Sequence, residues 1–221
     1  MARDMYGPMT GASAWMMTPT WDVRHLVLLF AMWSVMMAGM MLPSAAPTIL
    51  IYAAVMRRAD GHRGALRVYP MTAGYLAVWT AFSLIATMLQ RLLSQTLALS
   101  TMMQLVSPTA AAALLLVAAV YQITPFKQAC LAHCQSPATF IATHMSRNIG
   151  PFRLGLEHGL LCLGCCWTLM LLLFVGGVMN LAVIAALTGF VLLEKLVPSG
   201  WIGSWLSAVC LAGTAFWIVA R

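Results

Sequence analysis

Three of the six cysteines in this 221-residue chain lie within five residues, inside one long apolar stretch. Cys162, Cys165 and Cys166 are spaced so that a helix would place their thiols on one side. His158 lies four residues before this group and Met170 four residues after it, so both extend the same stripe. Thiolate, imidazole and thioether together favour Cu(I), and Zn(II) competes for the first two. The stripe predicts a soft-metal site; the alternative is that small buried cysteines pack helices together.

A second cysteine pair lies between two apolar stretches. Cys130 and Cys134 are four residues apart, with His133 beside them, so a short helix would point both thiols the same way. We place this segment on the same side of the membrane as the start of the thiol stripe. We therefore expect one shared site or two adjacent ones, with inert thiols in an interfacial helix as the alternative.

Methionines crowd the first apolar stretch. Met32, Met36 and Met40 repeat every four residues, and Met37 and Met41 lie next to them. Thioethers suit Cu(I), although methionine is also a flexible filler of apolar cores. The candidate thioether ligands are Met36, Met37, Met40 and Met41.

Charged residues at the ends of apolar stretches are the candidates for supporting roles. Glu194 could pair with an arginine, carry a proton or orient a histidine, and Lys195 can extend toward the cytoplasm; the alternative for both is a charged pair at the helix end, in the membrane interface. Glu157 lies beside His158 at a predicted helix start, where a carboxylate is favoured. Together with Met170, the two carboxylates form the predicted outer set around the metal ligands.

The composition indicates a membrane protein. Only 8% of residues are charged and 62% are hydrophobic, whereas a soluble domain carries roughly a quarter charged residues. The apolar runs are long and continuous, which favours helices over barrel strands. The net charge of +7 lies in connecting segments, so it indicates topology and argues against nucleic-acid binding.

These runs predict an all-α, polytopic membrane helix bundle with about six transmembrane helices, forming a single domain over residues 1–221. The expected spans are 23–55, 71–93, 107–123, 154–178, 181–197 and 202–220. The first is too long for one straight crossing and contains Pro43 and Pro47, so we expect it to be kinked. Basic residues place the loops 57–68 and 124–153 in the cytoplasm. Residues 1–22 and both termini are then periplasmic, in a bacterial inner membrane.

The chain resembles a bacterial family of predicted metal-binding integral membrane proteins whose function is not settled. The most specific shared motif is GxxHGxxCxGCCW, carried by Gly155, His158, Gly159, Cys162, Gly164, Cys165, Cys166 and Trp167. Further matching pieces are the segments 33–43 and 121–127, followed by Cys130 and Cys134. Gln135 departs from the arginine that the family often carries at this position. The resemblance implies a metal site but no particular reaction.

These patterns predict Cu(I) transport or delivery, with His158, Cys162, Cys165 and Cys166 as the main ligands. No nucleotide-binding, zinc-protease or hydrolase motif is present, so an enzyme is the less favoured interpretation. Two alternatives stay open: a membrane redox component built on the thiols or a metal, and an accessory structural subunit of a larger complex. Expected partners are the lipid bilayer, a membrane metalloenzyme or a soluble metal chaperone, and further copies or subunits.

Overall fold

A computed structural model describes residues 22–96, 107–146, 149–178, 180–197 and 200–220. All regular structure in these segments is helical. The predicted external segment 1–22 lies outside them except for its last residue. The helices are α1 (Val23–Ala65), α2 (Val68–Thr96), α3 (Pro108–Gln122), α4 (Pro125–Gln135), α5 (Pro137–Ser146), α6 (Pro151–Leu171), α7 (Leu173–Gly176), α8 (Leu181–Leu196) and α9 (Gly200–Ala220).

The predicted all-α class is confirmed. In the part of the chain that the structure describes, four helices are long and apolar enough to cross a membrane, and the pair α3 and α4, bent by 65°, would make a fifth span if it crosses as one unit. The fifth predicted span corresponds to α8, whose 16 residues are fewer than the 18 that define a candidate span. That the chain crosses the membrane six times stays a prediction.

The first helix is longer than expected. α1 continues through Pro43 and Pro47 and into the predicted loop 57–68, ending at Ala65. Its backbone leaves helical geometry at Asp60 and Gly61, where Gly61 has φ +60°, a conformation that glycine adopts at little cost. The predicted bend at the prolines is not confirmed.

The segment that the sequence placed in a cytoplasmic loop, 124–153, contains the helices α4 and α5. Thr124 accepts a hydrogen bond from the Lys127 backbone N–H at 3.3 Å, and Pro125 occupies the first turn of α4. Both residues are typical of a helix start, so the chain ends α3 and begins a new helix in a new direction. This turn directs α4 onto α6.

The helix α6 lies at the centre of the bundle. About half of its residues are buried, whereas most residues of α9 are not. Its crossing with α2 depends on glycines: a Cβ at Gly155 would lie 1.9 Å from Met71 O, and one at Gly74 would lie 2.1 Å from Phe152 O. Small residues permit such close backbone contact between membrane helices. The crossing brings the first half of α6 against Tyr75 of α2.

Candidate metal site

The predicted stripe on α6 faces the interior of the bundle. His158, Cys162, Cys165, Cys166 and Met170 are each 3% exposed or less. Their common direction follows from helix geometry, because residues three and four apart share a face. The three thiols and the imidazole are therefore shielded from solvent inside the bundle.

The cysteines of α4 meet those of α6. Cys134 is partly buried and packs against the core group that includes Cys162, Cys165 and Cys166. Cys130 Sγ lies against Gly164, where a Cβ would approach it to 2.8 Å. The Tyr121 hydroxyl donates a hydrogen bond to Gly164 O and ties the end of α3 to the same turn of α6. The two cysteine groups, for which the sequence predicts one shared site or two adjacent ones, therefore lie next to each other.

Lys195 is the main residue that the sequence analysis misplaced. It is 8% exposed, and its Nζ donates hydrogen bonds to Cys162 Sγ at 2.8 Å and to Ser44 Oγ at 3.0 Å. The expectation that Lys195 extends toward the cytoplasm is wrong, because its ammonium group ends at the thiols. One sequence signal was available: Lys195 follows Val191 by four residues in an apolar run, so the two share one face of a helix.

Tyr75 is a second residue that the sequence did not indicate. Its hydroxyl lies 3.1 Å from Cys162 Sγ and 3.0 Å from Met41 O. Ser44 Oγ also donates to Met41 O, at 2.8 Å. One turn of α1, from Met41 to Ser44, therefore adjoins the thiol group through Tyr75 and Lys195.

The candidate thioether residues divide into two groups. Met37 and Met41 are fully buried in the core, and Met40 is 3% exposed. Met36 is partly buried and, with Met32 and Met40, lines a groove that α1 forms with α8 and the chain before it. Among the hydrogen bonds described above, Met41 is the candidate whose helical turn adjoins Cys162, because the Tyr75 hydroxyl contacts both Met41 O and Cys162 Sγ.

His158 lies between aromatic rings. Its ring centroid is 5.6 Å from that of Tyr75 and 5.3 Å from that of Phe140. Its Nδ1 atom is buried and, among the described residues, has no hydrogen-bond partner. An imidazole nitrogen in this condition is a candidate metal ligand, because buried polar atoms are usually satisfied.

Glu194 is paired with a lysine. Lys127 Nζ donates to the Glu194 carboxylate and to Gln122 Oε1, and all three side chains are buried. Lys127 lies in the predicted loop 124–153, yet its side chain is fully buried, so it does not contribute an exposed loop charge. Gln135, the departure from the family pattern, donates to Glu194 O at 2.8 Å and so supports the end of α8.

The other predicted supporting residues lie elsewhere. Glu157 binds His144 Nε2 at 2.6 Å and Arg153 Nε at 3.1 Å, in a partly exposed cluster at the start of α6. These contacts involve none of the thiols. Met170 is fully buried in the core, one turn beyond Cys166.

The sulfur atoms are close together but are directed to protein partners. The Cys165 and Cys166 thiols each donate to Cys162 O at 3.0 Å, while Cys162 Sγ contacts Lys195 and Tyr75. Across the described residues, no three His, Cys, Asp or Glu side chains are arranged as a group able to hold one metal ion. Cysteine has a single side-chain torsion with three staggered positions, so ligation requires thiols to rotate rather than helices to move.

Comparison with known proteins agrees with the type of donor atoms present. A family model described as PpoB2, copper chaperone, matches residues 30–218 and so includes both cysteine groups. No curated protein and no solved structure matches the chain. The match supports the metal-related family that the resemblance implied, whereas the membrane location and the motif stay predictions. The chain belongs to the PpoB2 copper-chaperone family.

Proposed function

We propose that this protein is an integral membrane copper chaperone that binds Cu(I) as cargo and passes it to a receiving protein. The observation that carries the proposal is the packing of Cys130 and Cys134 of α4 against the buried group of α6 that contains Cys162, Cys165 and Cys166. The family description supports copper as the cargo. Soft thiol donors suit copper better than magnesium or calcium, which take oxygen ligands.

The proposed primary ligands are Cys162 and Cys165. Thiolate is a soft ligand that selects Cu(I), whereas structural zinc usually takes four ligands in a tetrahedron. Cys166 follows Cys165 on the same buried helix and Cys134 of α4 packs against this group, so each could take over one bond to the ion during transfer. A set of interchangeable thiols allows a metal ion to be transferred one ligand at a time.

His158 and Cys134 lie on the side from which we propose that copper enters or leaves. Phe140 of α5 contacts His158 and also His144, with ring centroids 4.1 Å apart for the second pair. His144, His133 and Phe140 line a groove of about 350 Å³ on α4 and α5. By the proposed topology this groove faces the cytoplasm, where a soluble metal chaperone would dock.

The proposed membrane arrangement has six crossings in the bacterial inner membrane, with both termini periplasmic. Four candidate spans, the bent pair α3 and α4, and the short helix α8 would make up the six. The short helix is feasible as a crossing because its end carries Glu194 and Lys195 into the protein interior. The metalloenzyme or further subunit that receives copper would bind within or beside this membrane domain.

The test is Cu(I) binding by the purified full-length protein in detergent, measured by competition with a coloured Cu(I) chelator. We expect one tightly bound Cu(I), lost in the double variant Cys162→Ser with Cys165→Ser. The matched control is Cys210→Ser, because Cys210 is exposed on α9 and should leave binding unchanged. A wild-type protein without stoichiometric copper, or a double variant that keeps it, refutes the proposal.

A further inference from the structure

The ammonium group of Lys195 lies among the thiols and forms no salt bridge with a carboxylate of the described residues. Among the described residues, the salt bridges of acidic side chains involve Arg67, Lys127, His144 and Arg153. The neighbouring carboxylate, Glu194, is already paired with Lys127. The polar contacts of Lys195 Nζ are with Cys162 Sγ and Ser44 Oγ.

A buried charge without a partner of opposite sign is costly. The Lys127 and Glu194 charges cancel, so Lys195 leaves one net positive charge in this part of the bundle. A negatively charged group formed at the adjacent sulfur atoms would compensate it. The chemistry of the proposed cargo supplies such a group.

From this arrangement we propose that Lys195 is the counter-charge of a Cu(I) bis-thiolate at Cys162 and Cys165, and that this charge makes the site prefer a monovalent soft cation to Zn(II). This inference rests on the proposed function. When Cu(I) binds two thiols, two protons leave to solvent and one positive charge enters, so the site becomes more negative by one unit. The positive charge of Lys195 compensates this added negative charge.

The positive charge of Lys195 does not stabilise a Zn(II)-bound site in this way. With the same two thiolates, two protons leave and two positive charges enter, so the charge of the site does not change. The ammonium also repels a divalent ion twice as strongly as a monovalent one at the same distance. Lys195 Nζ keeps its hydrogen bond to the Cys162 sulfur, as donors around metal ligands commonly do, and thereby orients that ligand.

The test compares Lys195→Met, Lys195→Gln and Lys195→Arg in the full-length protein in detergent. Chelator competition gives the affinities for Cu(I) and, separately, for Zn(II). We expect Lys195→Met and Lys195→Gln to weaken Cu(I) binding by about 10- to 100-fold, the range for a hydrogen bond to a charged group. Zn(II) affinity should stay the same or rise, and Lys195→Arg should recover part of the Cu(I) affinity.

The control is Arg153→Met, which removes a positive charge that is 73% exposed and should change neither affinity. Because a misfolded variant loses both metals, an equal fall for Cu(I) and Zn(II) would assign Lys195 a structural role and overturn the inference. Unchanged or tighter Cu(I) binding in Lys195→Met, or wild-type behaviour of Lys195→Gln, would also overturn it. Failure of the wild-type protein to bind copper refutes the proposed function itself.

Discussion

The buried ion pair between Lys127 and Glu194 offers a direct test of how α4 is held against α8. The Lys127 side chain is fully buried and that of Glu194 is 6% exposed. Replacing Lys127 by Met keeps much of the volume of the side chain and removes the ammonium group. The Glu194 carboxylate then remains buried without its cation, and Gln122 Oε1 loses a donor.

The expected cost is large because neither group has access to water. Removing one partner of a buried ion pair costs about 3–5 kcal/mol. For a chain of this length, each kcal/mol corresponds to about 2–4 °C in the unfolding temperature, so Lys127→Met should lower it by about 6–20 °C. The double variant Lys127→Met with Glu194→Met removes both charges and should recover most of this loss.

The assay is thermal unfolding of the purified protein in one detergent, followed by circular dichroism. Arg153→Met is the matched control, because Arg153 pairs with Glu157 at the surface, where such pairs contribute about 0–1 kcal/mol. If Lys127→Met unfolds within 2 °C of the wild-type protein, as roughly expected of a surface pair, the pair is not buried as described. If the double variant is no more stable than the single one, the loss comes from packing rather than from an unpaired charge.

Two further changes test the helix contacts around the thiols. Gly155→Ala places a Cβ against Met71 O and should destabilise the protein by about 1–3 kcal/mol in thermal unfolding. Gly189→Ala, at a site with nothing within 4 Å, should cause no loss, and equal stability of the two variants would contradict the close crossing of α2 and α6. Tyr75→Phe removes a hydroxyl that contacts Cys162 Sγ, and Cu(I) affinity measured by chelator competition should fall by less than about tenfold, the range for one neutral hydrogen bond. A loss as large as that of the Cys162 and Cys165 double variant would instead identify the phenol as a ligand.

The orientation of α6 was predictable from its sequence. His158, Cys162, Cys165, Cys166 and Met170 share one face because an α-helix repeats every 3.6 residues, whatever packs against it. Burial of that face follows from the cost of exposing polar groups to lipid or apolar neighbours. The shared face was therefore a property of local geometry.

The helix α4 was only partly predictable. The spacing of Cys130 and Cys134 indicated that both thiols would share a face on a helix, but the segment was assigned to a loop because of its charge and its position between spans. Thr124 and Pro125 are a helix-start signal that outweighs this argument. The charged side chain of Lys127 can be buried in α4 because it forms an ion pair with Glu194 inside the bundle.

The sequence by itself determined the all-helical class, the long apolar helices and the presence of soft donor atoms on one face of α6, because each depends on composition or on spacing within one helix. Only the tertiary structure decided which groups meet those donors. Lys195 reaches Cys162 from 33 residues away, and Tyr75 reaches it from 87 residues away. Such contacts depend on how whole helices dock against one another, and docking depends on close approaches such as that of Gly155 to Met71, which no local pattern specifies.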